Sequence, residues 1–168
     1  MNVKSILTRI GTIGAGHTML WVFNNFFDFI VYGAVIAHFG LVHGFMIMAP
    51  VSVLLNLFLI KVYDLTGKDW LGAESVKEGK EALVKDKPVW LRRLIFSSDI
   101  AALILISIYD PFIAVIYLRK QEQAYKGLSK RDWVIFFIST IIANGAWSVT
   151  IYTGLSVIDW FLKIAHLS

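Results

Sequence analysis

Two carboxylates lie inside long apolar stretches of this sequence, and their position gives them the greatest potential for chemistry. Asp28 lies within Phe26–Val31, and Asp110 directly precedes Pro111. A carboxylate at the centre of a membrane helix costs roughly 2.5–3.5 kcal/mol on insertion scales, so it faces protein or water rather than lipid. Such an acid supports proton or cation coupling when its neighbours are polar. The same acid can also serve as a neutral hydrogen-bond donor in a lipid or ligand site.

Polar side chains repeat at helical spacing around these acids. Asn24, Asp28 and Tyr32 recur every four residues, which places them along one side of an otherwise apolar helix. The alternative is that amide and hydroxyl groups only join neighbouring helices, at about 0.6–2 kcal/mol per hydrogen bond. The predicted binding or ion-coupling residues are Asp28, Asp110, Asn24, Asn25, Tyr32, Asn56, Asn144 and Tyr152.

Composition indicates the environment of the elements that must position these residues. The chain has 168 residues, of which 57% are hydrophobic, and its mean hydropathy is +0.67. An ordinary soluble domain is only about half apolar. Open sheets cannot cross a bilayer, and a barrel would show short alternating strands, so the sequence predicts one all-α integral membrane domain. The absence of cysteine excludes disulfides and thiolate metal sites.

The apolar segments predict a bundle of four transmembrane helices. The predicted spans cover approximately residues 18–37, 41–63, 94–118 and 133–162. Only His38–Gly40 separates the first two spans, which predicts a tight helical hairpin. The charged connection 64–93 predicts an amphipathic helix on the cytoplasmic headgroups, with Ser75 and Glu78 spaced as a capping box.

The distribution of Lys and Arg predicts both termini on the cytoplasmic side of a plasma (inner) membrane. Eleven basic residues would then lie inside and five outside. Those five, within residues 119–131, conflict with the rule that basic residues stay inside. The conflict would disappear if segment 94–118 turned back at Asp110–Pro111 as a re-entrant hairpin, but a single span kinked at Pro111 is the favoured interpretation.

The leading functional hypothesis is a small transporter, channel or lipid-translocation component that uses its intramembrane acids. A non-catalytic scaffold subunit of a larger membrane complex is the alternative. A membrane enzyme acting on lipid comes third, since no catalytic motif is present. We expect no metal, no cofactor and no nucleic-acid partner. Expected partners are membrane lipids, including anionic headgroups at the basic loops, and either further copies of the chain or other membrane proteins.

Overall fold

The structure is a computed structural model that describes the backbone of residues 3–84 and 100–167 and the side chains of residues 6–78 and 100–163. All regular elements in these ranges are helical. They are α1 (Val3–Asn25), a π-helical segment (Phe26–Val31), α2 (Tyr32–Thr66), α3 (Ala73–Val84), α4 (Ile100–Tyr109), α5 (Pro111–Leu118), a 3-10 turn (Gln121–Gln123) and α6 (Lys130–Leu167). The predictions for residues 85–99, including the start of the third span and the basic residues of 85–93, lie outside the described residues.

Two stretches are long and apolar enough to cross a membrane. They are Ile6–Thr66 and Lys130–Lys163, and the described part of α4 is a shorter apolar helix. The helical class and the capacity to span a membrane therefore agree with the sequence analysis. Four separate spans remain a prediction.

The chain reverses direction within α2 at Gly40. The backbone there has φ +74° and ψ 179°, which lies outside the helical region and suits a residue without a Cβ. Ile36 and Gly44 would lie ~12 Å apart in a continuous helix. Instead, a Cβ added to Gly44 would lie 3.3 Å from the Ile36 α-carbon. This helix break coincides with the turn predicted at His38–Gly40.

One end of the bundle is closed by contacts between α1 and the loop that follows α2, and the other end is the turn at Gly40. At the closed end, Arg9 Nη2 lies 3.8 Å from Asp69 Oδ2, and Gly16 packs so closely against Trp70 that a Cβ there would overlap the Trp70 carbonyl oxygen. We call this end the base, and the end at Gly40 the tip. Residues 67–72 therefore close the base against the first half of α1.

The described part of the third apolar segment, residues 100–118, consists of two helices that meet at Asp110. Asp110 separates α4 from α5 with an extended backbone (φ −163°, ψ 118°). The backbone N–H of Phe112 donates to Asn56 Oδ1 at 3.2 Å, and Arg119 Nη1 donates to Asp64 Oδ1 at 2.5 Å. Because Asn56 and Asp64 lie on the same helix, α5 runs beside the last part of α2 towards the base.

Helix α6 runs from the base to the tip. It starts at Lys130, slightly before the predicted 133, and near its start Asp132 Oδ2 lies 3.9 Å from Arg119 Nε. Further along, Asn144 accepts a hydrogen bond from Tyr32. The ends of the chain that the structure describes thus lie at opposite ends of the bundle. The predicted location of both termini on one side does not agree with this arrangement.

Helix α3 lies in the predicted connection, but Asp69 caps it instead of Ser75. The Asp69 carboxylate accepts from Ser75 N at 3.0 Å, Ser75 Oγ at 2.7 Å and Glu74 N at 3.2 Å. Burial raises the pKa of Asp69, but these hydrogen bonds and one from Tyr63 outweigh burial and hold that pKa below its ordinary value. The predicted capping box is therefore wrong, because the helix starts two residues before Ser75.

Candidate functional site

Polar side chains from α1, the π-helical segment, α2, the α4–α5 junction and α6 surround a small cavity at mid-depth in the bundle, which we call the inner cavity. Its volume is about 40 Å³, enough for a few water molecules or one small ion rather than for a solute or lipid. Among the predicted site residues, its walls include Asn24, Asp28, Tyr32, Asn56, Asp110 and Asn144. The remaining walls are largely aromatic and aliphatic, so the polar groups converge in an otherwise apolar interior.

Asp110 is fixed in the wall of the inner cavity. Its Oδ1 accepts from the backbone N–H groups of Phe112 at 2.7 Å and Ile113 at 3.3 Å, which makes it the N-cap of α5. Its Oδ2 accepts from Asn24 Nδ2 at 2.7 Å. Pro111 at the first helical position needs no hydrogen-bond acceptor for its nitrogen. Both carboxylate oxygens are thus engaged, and only 3% of the residue is exposed.

Two asparagines support the opposite walls of the cavity. Asn56 donates to the Ser52 carbonyl at 2.8 Å and accepts from Phe112 N at 3.2 Å, so it joins α2 to the start of α5. Asn144 donates to the Thr140 carbonyl at 2.7 Å and accepts from the Tyr32 hydroxyl. Each of these four hydrogen bonds gives a buried polar group a partner, which keeps this part of the site rigid.

Asp28 lies at the same depth but without such support. It is half-buried, and its carboxylate makes no hydrogen bond or ion pair with any residue that the structure describes. It lies in the π-helical segment, where the Tyr32 N–H bonds to the Phe27 carbonyl, five residues back. A four-residue repeat drifts around an α-helix, and the wider π turn reduces that drift. Asn24, Asp28 and Tyr32 therefore all reach the inner cavity.

A second, outer cavity of about 180 Å³ adjoins the inner one. Asp28 and Asn24 line both cavities. Asn25 lines only the outer one, which also meets the exposed side chains of Trp21 and Phe29. Asp28 therefore stands between the interior and a second space that reaches the surface of the bundle.

The structure brings seven of the eight predicted site residues to these cavities, six of them to the inner one. Tyr152 lines neither cavity and is 46% exposed, because it lies on α6 beyond the level of Tyr32 and Asn144. At this level α6 packs through Ile151 and Leu155, and Tyr152 takes no part in that contact.

Two residues that the sequence analysis did not select line both cavities. Tyr109 ends α4 directly before Asp110, and Trp147 lies one turn from Asn144 on α6. Trp147 also packs edge-to-face against Phe29, with ring centroids 5.5 Å apart. A signal was available for Trp147, since it lies away from the ends of its apolar segment, where tryptophan is usually found. For Tyr109, the only signal in the sequence is that it directly precedes Asp110.

No family model, curated protein or solved structure matches this chain. Its function must therefore be argued from the site itself. Across the described ranges, no three His, Asp or Glu side chains come together as a metal site. The oxygen atoms at the inner cavity belong to two carboxylates, amides and hydroxyls. Such a set can hold a proton, water or a weakly bound monovalent cation.

Proposed function

We propose that this protein is integral to a membrane, with its base on the cytoplasmic side. Nine of the ten Lys and Arg side chains that the structure describes lie at the base, and the exception is Lys163 near the end of α6. The turn at Gly40 carries none. This asymmetry is the one expected of basic residues retained inside, here a plasma (inner) membrane. The amino terminus is then cytoplasmic and the carboxyl terminus is on the opposite side.

In this arrangement α4 and α5 form a re-entrant pair instead of the third of four spans. Leu103 on α4 packs against the same apolar cluster as Phe112 and Val115 on α5, which indicates that both helices lie in the base half. Re-entrant backbone requires protein around it, and six of the eight residues of α5 are buried. The five basic residues of 119–131 then lie inside with the others, which removes the conflict seen in the sequence.

The function that the site supports best is transport of protons or a small monovalent cation, with Asp28 as the exchanging group. The observation that carries this proposal is the unpaired carboxylate of Asp28, which lines both the polar inner cavity and the larger outer cavity. Intramembrane carboxylates next to broken helices are typical of ion pathways. The inner cavity is too small for a lipid or sugar, which favours an ion over the larger substrates considered from the sequence.

Flux into proteoliposomes tests this proposal. The purified chain is reconstituted with a pH-sensitive dye inside, and a potassium diffusion potential drives proton uptake; an imposed sodium gradient tests for sodium. We expect flux from the wild type and only background leak from Asp28→Asn, which keeps the shape of the side chain but cannot ionise. The matched control is Asp159→Asn, which removes an exposed carboxylate paired with Lys163 and should leave flux unchanged. Equal flux from Asp28→Asn and the wild type would refute the mechanism.

A scaffold subunit is the second candidate, and the last part of α6 favours it. Every described side chain from Ser156 to Lys163 is exposed, and these include Trp160 and Phe161. A helix that extends past its own bundle can dock against another membrane protein or a further copy of the chain. Gentle extraction followed by native mass spectrometry separates the two candidates. A stoichiometric complex that survives Asp28→Asn but not Trp160→Ala would favour the scaffold.

A further inference from the structure

A groove of about 540 Å³ lies at the base, separate from the two cavities at mid-depth. Its size falls within the ~300–1,000 Å³ range of small-molecule sites. Leu57 and Ile60 on α2 and Leu128 in the loop before α6 form its apolar floor, and Trp133 lies at its edge. Together, these side chains form an apolar trough between the end of α2 and the start of α6.

The loop that forms one wall of the groove has an unusual backbone. Tyr125 has a positive φ of 59°, and Gly127 follows with φ 82°. A positive φ is uncommon for a tyrosine and persists where the surroundings hold it. Here the Tyr125 ring stacks on Tyr63, with centroids 5.3 Å apart and planes 22° apart. The stacking of Tyr125 on Tyr63 therefore fixes the wall of the groove, which is not a gap between loosely packed elements.

Two charged residues, Lys61 and Asp64, line the groove, and they differ in whether they have a partner. Asp64 pairs with the buried guanidinium of Arg119. Lys61 lies in the wall of the groove, is exposed, and has no ion pair within the part of the chain that the structure describes. A free ammonium group above an apolar trough, with a tryptophan at the edge, complements a phosphate group that carries an acyl chain.

We propose that this groove binds a phospholipid with an anionic headgroup. The acyl chain lies along Leu57, Ile60 and Leu128, and the phosphate pairs with Lys61. Trp133 places the groove at the membrane interface, where such rings are enriched. The proposal is independent of ion transport, since the groove shares no residue with either mid-depth cavity.

Native mass spectrometry of the purified full chain in detergent tests the headgroup. Phosphatidylglycerol and phosphatidylcholine are titrated separately. We expect one molecule of phosphatidylglycerol to bind preferentially, and Lys61→Gln to weaken that binding by about fivefold, the contribution of one lysine near an anionic surface. The matched control is Lys68→Gln, which removes another exposed, unpaired lysine of the base from outside the groove. Equal losses in both variants, or no loss in either, would overturn the proposal.

Crosslinking tests the position of the acyl chain independently of charge. Phosphatidylglycerol with a diazirine on its acyl chain is photolysed with the protein, and the modified peptides are mapped. We expect labels at Leu57, Ile60 and Leu128. Leu54 and Phe58 on the same helix are exposed but outside the groove, and labelling there at the same level would show ordinary bilayer contact and contradict a defined site.

Discussion

Asp28 and Asp110 are the same residue type at the same depth, yet they differ in what surrounds them. Asp110 caps a buried helix and accepts three hydrogen bonds. Asp28 lies in a π-helical segment, makes no hydrogen bond with any described residue, and lines two cavities. A carboxylate within an apolar segment is thus not functional by composition alone. A carboxylate whose oxygens are already engaged stabilises the fold, whereas an unengaged one remains available to a ligand.

The largest expected contrast is in stability. Asp110→Ala leaves two backbone N–H groups at the start of α5 without their cap, so we expect a loss of about 3 kcal/mol in the free energy of unfolding. Asp28→Ala removes a carboxylate with no partner and should change that free energy by less than about 0.5 kcal/mol. Titration with SDS in mixed micelles, followed by tryptophan fluorescence, measures both. Equal losses would remove the distinction between the two acids.

A smaller effect is expected at Asn56, which supports Asp110 from α2. Asn56→Leu keeps the size of the side chain but removes the acceptor for Phe112 N, a donor that Asp110 still satisfies in part. We expect a loss of about 1 to 1.5 kcal/mol in the same titration. Asn25→Leu is the control, because Asn25 bonds only to the Trp21 carbonyl within its own helix. A larger loss in the free energy of unfolding for Asn25→Leu than for Asn56→Leu would contradict the role of Asn56 in supporting the site.

A smaller effect again is expected where Tyr32 meets Asn144. Tyr32→Phe removes one hydroxyl and its hydrogen bond to Asn144 Oδ1. Hydrogen bonds between membrane helices average about 0.6 kcal/mol, so we expect a loss of that size. If the bond also shapes the inner cavity, flux should fall in the same variant while the unfolding titration changes little. Unchanged flux would show that only the carboxylate of Asp28 matters there.

The smallest effect concerns Asp69, a helix cap at the base rather than at mid-depth. Because the folded pKa of Asp69 lies below its ordinary value of 3.8, its carboxylate stabilises the fold above that pH. This stabilisation is lost as the pH falls through the lower, folded pKa. Asp69→Asn should therefore cost at most about 0.5 kcal/mol at pH 6, since asparagine also caps helices well, and progressively less below pH 4. Unfolding midpoints of both proteins at pH 6 and pH 3 measure this difference, and a gap that widens on acidification would contradict it.

Local signals in the sequence account for the parts of the fold that were predicted. The turn at Gly40 follows from a glycine between two apolar runs. Pro111 predicts a change of direction, but the sequence favoured one kinked span, and the capping role of Asp110 was not predicted. The stripe of Asn24, Asp28 and Tyr32 follows from helical spacing. These features depend on neighbouring residues, so their periodicity and turn chemistry are visible without a structure.

The features that the sequence did not reveal depend on contacts between distant segments. Asn24 and Asp110 are 86 residues apart. The sequence around Asp28 does not show whether a hydrogen-bond donor from a distant segment contacts its carboxylate. Arg119 was assigned to the loop between the third and fourth predicted spans, but it is buried between Asp64 and Asp132. That pairing shows that α5 returns to the base.

Carbodiimide labelling tests the difference between the two acids most directly. A hydrophobic carbodiimide reacts with protonated carboxyl groups that it can reach within a membrane, and mass spectrometry of the digested protein locates the product. The chain is labelled in its own membrane, with Asp28→Asn and Asp110→Asn as paired variants. We expect Asp28 to be modified in the wild type and in Asp110→Asn, with no modification of Asp110 in any sample. Labelling of Asp110 at the same rate as Asp28, or of neither, would contradict the assignment of Asp28 as the exchanging group.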